Sequence, residues 1–257
     1  MTLRPNAFLA ALRAGRPQIG LWLSLANPYT TEVVAGADFD WLVIDMEHSP
    51  NDLAAVLSQL QVLASFPGTA IVRPDWNDPV KVKRLLDFGA PGLLFPMVQS
   101  VAEAGAAVTA TRYPPRGIRG MGGTTRANGF GRMTDYLERV EEETAILVQV
   151  ESRAALALAL EIGQVDGVDG VFFGPSDIAA DIGLAGQPAH PAVWDLILPA
   201  ARRLMAAGIP VGTLVSDPAF CRRLMHADGF TFVACGTDVG LLARSTDALL
   251  KSLKAPL

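Results

Sequence analysis

The chain has little of what several common kinds of chemistry require. Its 257 residues include only two cysteines, Cys221 and Cys235, without metal-type spacing, so we expect a reducing compartment. No uncharged apolar run approaches the roughly 18–20 residues of a membrane span, and residues 1–6 lack the apolar segment of a signal peptide. These absences predict a cytoplasmic protein that does not insert into membranes.

Positive charge is scarce, and lysine is scarcer. A net charge of −5 gives no broad electrostatic footprint for nucleic acid. Four of the 21 basic residues are lysines, namely Lys81, Lys83, Lys251 and Lys254. None ends an apolar strand-like run, so we expect neither a Schiff-base lysine nor pyridoxal phosphate.

Apolar residues are abundant, at half of the chain and a mean hydropathy of +0.30. They predict a buried parallel sheet together with apolar surface for subunit contacts. Eight strand-like runs are seen, at 19–25, 41–45, 70–74, 92–96, 145–150, 170–173, 210–215 and 230–235. Helical patterns follow them, at 30–37, 52–64, 78–88, 101–111, 134–142, 152–162, 191–207, 218–227 and 239–253. The alternation predicts an α/β fold, a (β/α)8 TIM barrel in a single domain over residues 1–257, with a doubly wound sheet as the alternative.

One segment, residues 112–132, interrupts this alternation with five arginines, six glycines and two prolines. Loops of this length inside a compact domain are usually functional or mobile. Its arginines either contact an acidic substrate or form a subunit interface, and we favour the interface.

Two carboxylates follow neighbouring strands. Glu151 comes after the fifth strand and Asp177 after the sixth, so both are expected at the barrel mouth, where active sites of such barrels lie. A pair of carboxylates suits Mg²⁺ or Mn²⁺, which keep waters and accept substrate oxygens. The alternative is that each residue merely caps a helix.

His48 and Arg73 follow the second and third strands. His48 stands beside Asp45 and Glu47, a setting for a general base near neutral pH. Arg73 can hold a carboxylate or a developing enolate oxygen. The alternatives are a loop histidine bonded to a neighbouring carboxylate, and an ion pair of Arg73 with Asp45 or Glu47.

Further polar groups are expected at the same mouth. Gln149 precedes Glu151 by two residues and therefore faces the same side of its strand. Ser176 and the backbone around it suit anion binding at a turn that leads into a helix. Residues 235–238 give a weaker signal of that kind, more simply explained as the cap of the last helix. Trp22 and Cys235 are expected in the core.

Five motifs, in order along the chain, resemble those of the 4-hydroxy-2-oxoheptanedioate aldolase family. They are Phe39–His48, Val72-Arg73-Pro74, Arg112–Gly120, Gln149-Val150-Glu151 and Gly174-Pro175-Ser176-Asp177. This family comprises metal-dependent class II pyruvate aldolases and is grouped with the 2-keto-3-deoxy sugar-acid aldolases. The similarity runs from about Gly20 to Ala248.

The resemblance implies a carbon–carbon lyase that cleaves 4-hydroxy-2-oxo acids reversibly to pyruvate or hydroxypyruvate and an aldehyde, through an enolate stabilised by Mg²⁺, Mn²⁺ or Co²⁺. It implies the following roles: metal ligands Glu151 and Asp177; catalytic residues His48, Arg73 and Asp87, with Asp87 raising the basicity of His48; and substrate-binding residues Arg73, Gln149, Ser176 and Asp177. It also implies a homo-oligomer, a hexamer built as a trimer of dimers that exchange their last helices.

Other functions stay open at this point. Oxaloacetate decarboxylation or a related lyase reaction uses the same enolate chemistry. A barrel that only binds keto acids is a third interpretation, but the metal and base positions are all present. The chain departs from the family pattern at Met46, where some relatives have glycine, at Ser176, where alanine is frequent, and across 121–132. These departures leave the donor and the aldehyde undetermined.

Overall fold

The computed structural model describes residues 1–255, and in it eight parallel strands close into a barrel. They are β1 (Gln18–Leu23), β2 (Trp41–Asp45), β3 (Thr69–Arg73), β4 (Gly92–Phe95), β5 (Ala145–Val150), β6 (Gly170–Phe173), β7 (Val211–Leu214) and β8 (Phe232–Thr237). Each strand pairs with the next along the chain, and β1 pairs with β8. The predicted (β/α)8 barrel is confirmed, although residues 256–257 of the predicted domain lie outside the described residues.

Helices surround this barrel. They are α1 (Ala7–Arg13), α2 (Pro28–Ala35), α3 (Leu53–Leu63), α4 (Pro79–Asp87), α5 (Val101–Thr111), α6 (Tyr136–Arg139), α7 (Arg153–Ala157), α8 (Ala159–Gly163), α9 (Pro175–Asp181), α10 (Pro191–Ala206), α11 (Pro218–His226) and α12 (Asp238–Lys254). None of the helices described here is long and apolar enough to cross a membrane.

Aromatic rings fill the barrel interior. Neighbouring centroids lie 5.5–6.2 Å apart in a cluster formed by Phe8, Trp22, Trp41, Phe172 and Phe232. A larger apolar cluster packs the outer face of the sheet against the helices. Trp22 is buried as expected, whereas Cys235 is only partly buried against this core. Because the barrel interior is closely packed, the polar side chains at the carboxyl ends of the strands lie above a core that does not yield easily.

The regular elements differ from the predictions in several places. Strand β1 ends at Leu23 and not at residue 25, and α6 is shorter than the predicted 134–142. The helix predicted at 152–162 is two short helices, α7 and α8, broken at Leu158, whose amide bonds to the carbonyl of Ala155 only three residues earlier. A helix was expected after the turn around Ser176, but the bounds of α9 were not predicted, because a helix of seven residues gives little periodicity. Strand β8 starts at Phe232, two residues later than predicted, and continues to Thr237.

Candidate metal centre and active site

Arg73 lies at the centre of the polar mouth. Parallel pairing of β2 with β3 places Asp45 directly beside it. Arg73 Nε and Nη2 donate to the two carboxylate oxygens of Asp45 at 2.8 and 2.9 Å, and Nη1 lies 2.8 Å from Glu47 Oε2. The Trp22 ring lies 5.3 Å from the guanidinium carbon. The ion pairs given as the alternative for Arg73 are therefore present.

These ion pairs fix the charge and orientation of Arg73. Burial opposes its charge, but the hydrogen bonds to Asp45 and the charges of Asp45 and Glu47 outweigh burial, so the pKa of Arg73 is raised. Of the five guanidinium N–H groups, three face these carboxylates. The other two have no hydrogen-bond partner among the described residues, so the ion pairs do not by themselves exclude a role in substrate binding.

Glu151 is buried directly after β5. Its carboxylate accepts hydrogen bonds from other residues and does not cap α7, the helix that follows. Its Oε2 accepts from the Met97 amide at 2.8 Å, and its Oε1 accepts from Gln149 Nε2 at 2.5 Å. Ser152 caps α7 instead, accepting from the Ala155 amide at 3.1 Å. The capping alternative is therefore wrong for Glu151.

Asp177 lies in the first turn of α9, two residues past the start of that helix. The cap residue is Gly174, and no side chain provides a capping hydrogen bond there. The capping alternative is thus wrong for Asp177 too, although its charge still suits the positive end of the helix.

Two backbone features hold Glu151 in place. Met97 has a φ of +52°, an unusual conformation for a residue with a Cβ, and its amide donates to the carboxylate. At Gly174, a Cβ would lie 2.5 Å from Glu151 Oε1 and 2.8 Å from its Cγ. Any larger residue there would displace the carboxylate, so the glycine of the Gly174–Asp177 motif makes room for Glu151.

Carboxylates at this mouth outnumber the cations beside them. Burial raises the pKa of Glu151 to about 7, and the nearby charges of Asp177 and Glu47 add to that effect. Burial also raises the pKa of Glu47, although Arg73 and His48 oppose it. Sequence reasoning did not select Glu47 as a site residue; its only signal was its place between Asp45 and His48. The arrangement favours a cation, because neutralising these carboxylates otherwise requires protons.

The residues present fit a divalent metal. One buried side-chain oxygen in this region, Gln149 Oε1, has no hydrogen-bond partner, and Glu47 Oε2 has only its ion-pair contacts with Arg73 and His48. Within residues 1–255 no three or more His, Cys, Asp or Glu side chains are grouped to hold a metal alone. Two carboxylates completed by water and substrate oxygens suit Mg²⁺ or Mn²⁺, whereas a closed zinc site needs more protein ligands.

The remaining predicted residues are placed differently. Gln149 is buried beside Glu151, and Ser176 is exposed in the first turn of α9. The His48 side chain is 66% exposed, with Nε2 3.7 Å from Glu47 Oε2. The contact with a neighbouring carboxylate, given as the alternative for His48, is therefore present. Among the described residues, no hydrogen bond from a buried group holds the imidazole in place.

Asp87 is not brought to His48 within one chain. It is the last residue of α4, and helices of this fold run back toward the amino end of the barrel. There Arg119 Nη2 donates to its Oδ1 at 2.8 Å. Arg119 itself is 2% exposed, stacked 4.5 Å from the Tyr113 ring centroid and 3.2 Å from the Tyr136 hydroxyl.

The 112–132 segment lies at this same amino end, because it connects α5 to β5. It therefore faces away from the mouth of its own barrel, so its arginines do not reach a substrate bound in the same chain. Within the chain, Arg112, Arg116 and Arg119 form ion pairs with Asp166, Glu141 and Asp87, and the subunit interface stays a prediction.

A closed (β/α)8 barrel with a buried arginine and an excess of carboxylates at its mouth defines a barrel enzyme suited to anionic substrates and a cation. The model of the HpcH/HpaI aldolase/citrate lyase family matches residues 18–245. The chain belongs to this family and is a carbon–carbon lyase.

Individual relatives agree with this assignment. A 4-hydroxy-2-oxo-heptane-1,7-dioate aldolase from Salmonella arizonae is 53% identical over 245 residues, which cover 95% of this chain and 93% of that protein. The crystal structure of an HpcH/HpaI aldolase/citrate lyase family protein from Burkholderia cenocepacia superposes with a TM-score of 0.93 at 38% identity, covering 97% of this chain and all of the other. The CitE protein of Mycobacterium tuberculosis, solved with magnesium and pyruvate, shares the fold at 17% identity with a TM-score of 0.59, over 89% of this chain and 88% of that one.

Proposed function

We propose that the protein is a divalent-metal-dependent pyruvate aldolase. It cleaves 4-hydroxy-2-oxo acids to pyruvate, or hydroxypyruvate, and an aldehyde, and it catalyses the reverse addition. The observation that carries this proposal is the buried Glu151, which the Met97 amide holds at 2.8 Å and which has the carboxylates of Asp177 and Glu47 nearby. The Salmonella relative, named for such a reaction, supports the substrate class.

Glu151 and Asp177 would hold the metal, with Mg²⁺, Mn²⁺ and Co²⁺ as the candidates. A metal bound there supplies Lewis acidity that makes the C3 protons of the keto acid easier to remove. Gln149 and Ser176 assist Asp177 in orienting the keto acid. The CitE neighbour solved with magnesium and pyruvate agrees with this proposal at the level of the fold.

Arg73 stabilises negative charge on the substrate as the enolate forms. Its bidentate pairing with Asp45 fixes the guanidinium in advance, so no reorganisation is needed when charge develops. Two of its N–H groups form no hydrogen bond within the described residues, and we propose that they donate to the substrate oxygens.

His48 takes the C3 proton, directly or through one water. Its exposed imidazole is free to approach a substrate, and its Nε2 lies 3.7 Å from Glu47 Oε2. Asp87, the carboxylate proposed to raise its basicity, lies at the opposite end of the same barrel. It can therefore act on His48 only from a neighbouring subunit.

The exposed apolar face of the last helix, α12, favours a homo-oligomer. In α12 only Asp238 is buried, while leucines project into solvent: Leu241, Leu242, Leu249, Leu250 and Leu253. Ile19, on the outside of β1, is 39% exposed, although strands of such barrels are normally covered by helices. We propose that a partner's last helix covers this face, in a hexamer built from dimers that exchange α12. The free thiols Cys221 and Cys235 suit the reducing cytoplasm, which we propose as its location.

The proposed function is tested by metal removal. Exhaustive EDTA treatment should abolish aldol cleavage, and Mg²⁺, Mn²⁺ or Co²⁺ should restore it. Activity that survives chelation, or borohydride trapping of substrate on a lysine, would contradict the mechanism. Assaying oxaloacetate against pyruvate plus aldehyde separates the decarboxylase alternative, because decarboxylation needs no aldehyde pocket.

The role of His48 is tested separately. His48→Ala should slow the exchange of pyruvate C3 protons with solvent deuterium far more than it weakens Mn²⁺ binding. An unchanged exchange rate would remove His48 from the role of base.

A further inference from the structure

Three buried polar side chains outside the mouth form a hydrogen-bonded chain. Gln59, inside α3, is 0% exposed, Thr31 in α2 is 1% exposed, and Asn51, before α3, is 6% exposed. Thr31 Oγ1 donates to Gln59 Oε1 at 3.0 Å, and Gln59 Nε2 donates to Asn51 Oδ1 at 2.5 Å. Amides so deeply buried inside a helical layer are uncommon, and each must find partners.

The chain ends on the backbone of the mouth. Asn51 Nδ2 donates to the carbonyl of Asp45 at 2.7 Å and approaches the carbonyl of Leu23 at 3.3 Å. These are the last residues of β2 and β1. Because both groups are acceptors, the orientation of the Asn51 amide is determined by them, and it in turn determines that of Gln59.

Asp45 is the point where this chain meets the reacting groups. Its carboxylate holds Arg73 in a bidentate pair, while its carbonyl accepts from Asn51 and from the Ser49 hydroxyl. Asn51 Nδ2 also lies 2.8 Å from Ser49 Oγ, so the segment 46–50 is closed into a loop between these contacts. Glu47 and His48 lie on that loop.

We propose that Asn51 and Gln59 are positioning residues that set the place of Arg73 and His48. They act through Asp45 and the 46–50 loop and contact no substrate themselves. Loss of either amide leaves a buried partner unsatisfied, so the loop must shift to find another. Displacement of a reacting group by about 1 Å can cost on the order of 100-fold in rate. This proposal rests on the proposed function of His48 and Arg73.

The test uses Gln59→Leu in the metal-loaded enzyme, with exchange of pyruvate C3 protons followed by NMR. We expect kcat to fall about 10- to 100-fold, and to fall more than KM rises. Thr111→Val is the matched control, because it removes a buried hydroxyl bonded at 2.7 Å at the amino end of the barrel. It should leave kcat unchanged.

A double-mutant cycle separates positioning from general damage. In a His48→Ala background, Gln59→Leu should reduce the residual rate less than it does in the wild-type background, because the loss that passes through the base is already present and only the loss through Arg73 remains. Equal losses in both backgrounds, or a wild-type kcat in folded Gln59→Leu, would overturn the proposal. Should Gln59→Leu not fold, Thr31→Val removes only the outer donor and should give a smaller loss in the same direction; no loss there would also overturn it.

Amide hydrogen exchange gives a readout that is independent of activity. Gln59→Leu should accelerate exchange across residues 46–50 and leave residues 112–132 unchanged. Unchanged protection of 46–50 would contradict the positioning role. If wild-type enzyme loaded with Mg²⁺ or Mn²⁺ exchanges no pyruvate protons, the proposed function fails, while this measurement still decides whether the amide chain holds the loop.

Discussion

The amino end and the mouth of the barrel differ in how the charges of their carboxylates are neutralised. At the amino end, several partly buried carboxylates have an arginine beside them, as in Asp87 with Arg119 and Asp135 with Arg139. Asp169 is the exception: it accepts from the Ile146 amide and forms no ion pair among the described residues. At the mouth, Arg73 forms ion pairs with Asp45 and Glu47, and among the described residues no ion pair reaches Glu151 or Asp177.

The pKa values follow this difference. Hydrogen bonding to Arg139 lowers the pKa of Asp135, whereas burial among other acids raises the pKa of Glu47 and Glu151. Burial also raises the pKa of Asp169 at the amino end, but the ion-paired carboxylates there, such as Asp87 and Asp135, are neutralised within a single chain. The mouth remains destabilised until it gains positive charge, which is a common property of functional sites.

The largest expected effect is at Glu151. Glu151→Gln keeps the shape of the side chain but removes a proposed metal ligand, so we expect kcat/KM for aldol cleavage to fall on the order of 1000-fold, or about 4 kcal/mol. Mn²⁺ binding, measured by calorimetry, should weaken in parallel. The matched control is Asp135→Asn at the amino end, which should leave kcat/KM unchanged. A large loss in the control would show that charge at the two ends is not separable.

Gly174→Ala should have the next largest effect. The added Cβ would displace Glu151 by contact at 2.5 Å, so we expect Mn²⁺ affinity to fall about 10- to 100-fold, as for other changes that disturb the support of a ligand. Gly105→Ala, in α5, is the control, since a Cβ there meets nothing within 4 Å. Wild-type affinity in Gly174→Ala would mean that Glu151 is not a ligand or has room to move.

Strand ends were predictable because buried parallel strands read as continuous apolar runs. The bounds of β2, β5 and β6 agree with prediction, and with them the placement of Asp45, Gln149 and Glu151. The apolar pattern does not specify the register between neighbouring strands. The bidentate pair of Asp45 with Arg73 depends on which residues of β2 and β3 lie side by side, and a single sequence does not specify that.

Contacts from irregular segments were not predictable. The Met97 amide reaches Glu151 only because that residue has a positive φ, and methionine carries no signal for it. Asp87 was assigned to the base by resemblance, but within the chain it meets Arg119, which lies in a segment without periodicity. Asn51 and Gln59 look like ordinary polar residues near a helix start until their burial is known.

The raised pKa of Glu151 at the mouth also predicts that the stability of the protein depends on pH. The pKa of Glu151 is about 7 in the folded chain against an ordinary value of 4.5, so between these values the folded state binds more protons than the unfolded state. Its contribution to stability is therefore full below about pH 4.5 and is lost as the pH rises through 7. The Tm of metal-free protein should fall over this range relative to that of Glu151→Gln, and divalent metal should raise the Tm more at pH 8 than at pH 5. Equal slopes for both proteins would contradict the raised pKa.

The smallest expected effect lies at the amino end. Tyr136→Phe removes the hydroxyl that accepts from Arg119 at 3.2 Å, while the ion pair with Asp87 remains. We expect the free energy of unfolding, measured in urea, to fall by about 1 kcal/mol, with kcat and Mn²⁺ affinity unchanged, because this end of the barrel contributes stability and not chemistry within its own chain. A fall in kcat without loss of stability would show that the Arg119–Asp87 cluster reaches a reacting group, which in the proposed oligomer is the His48 of a neighbouring subunit. In that case the two ends of the barrel would form one functional unit across the interface.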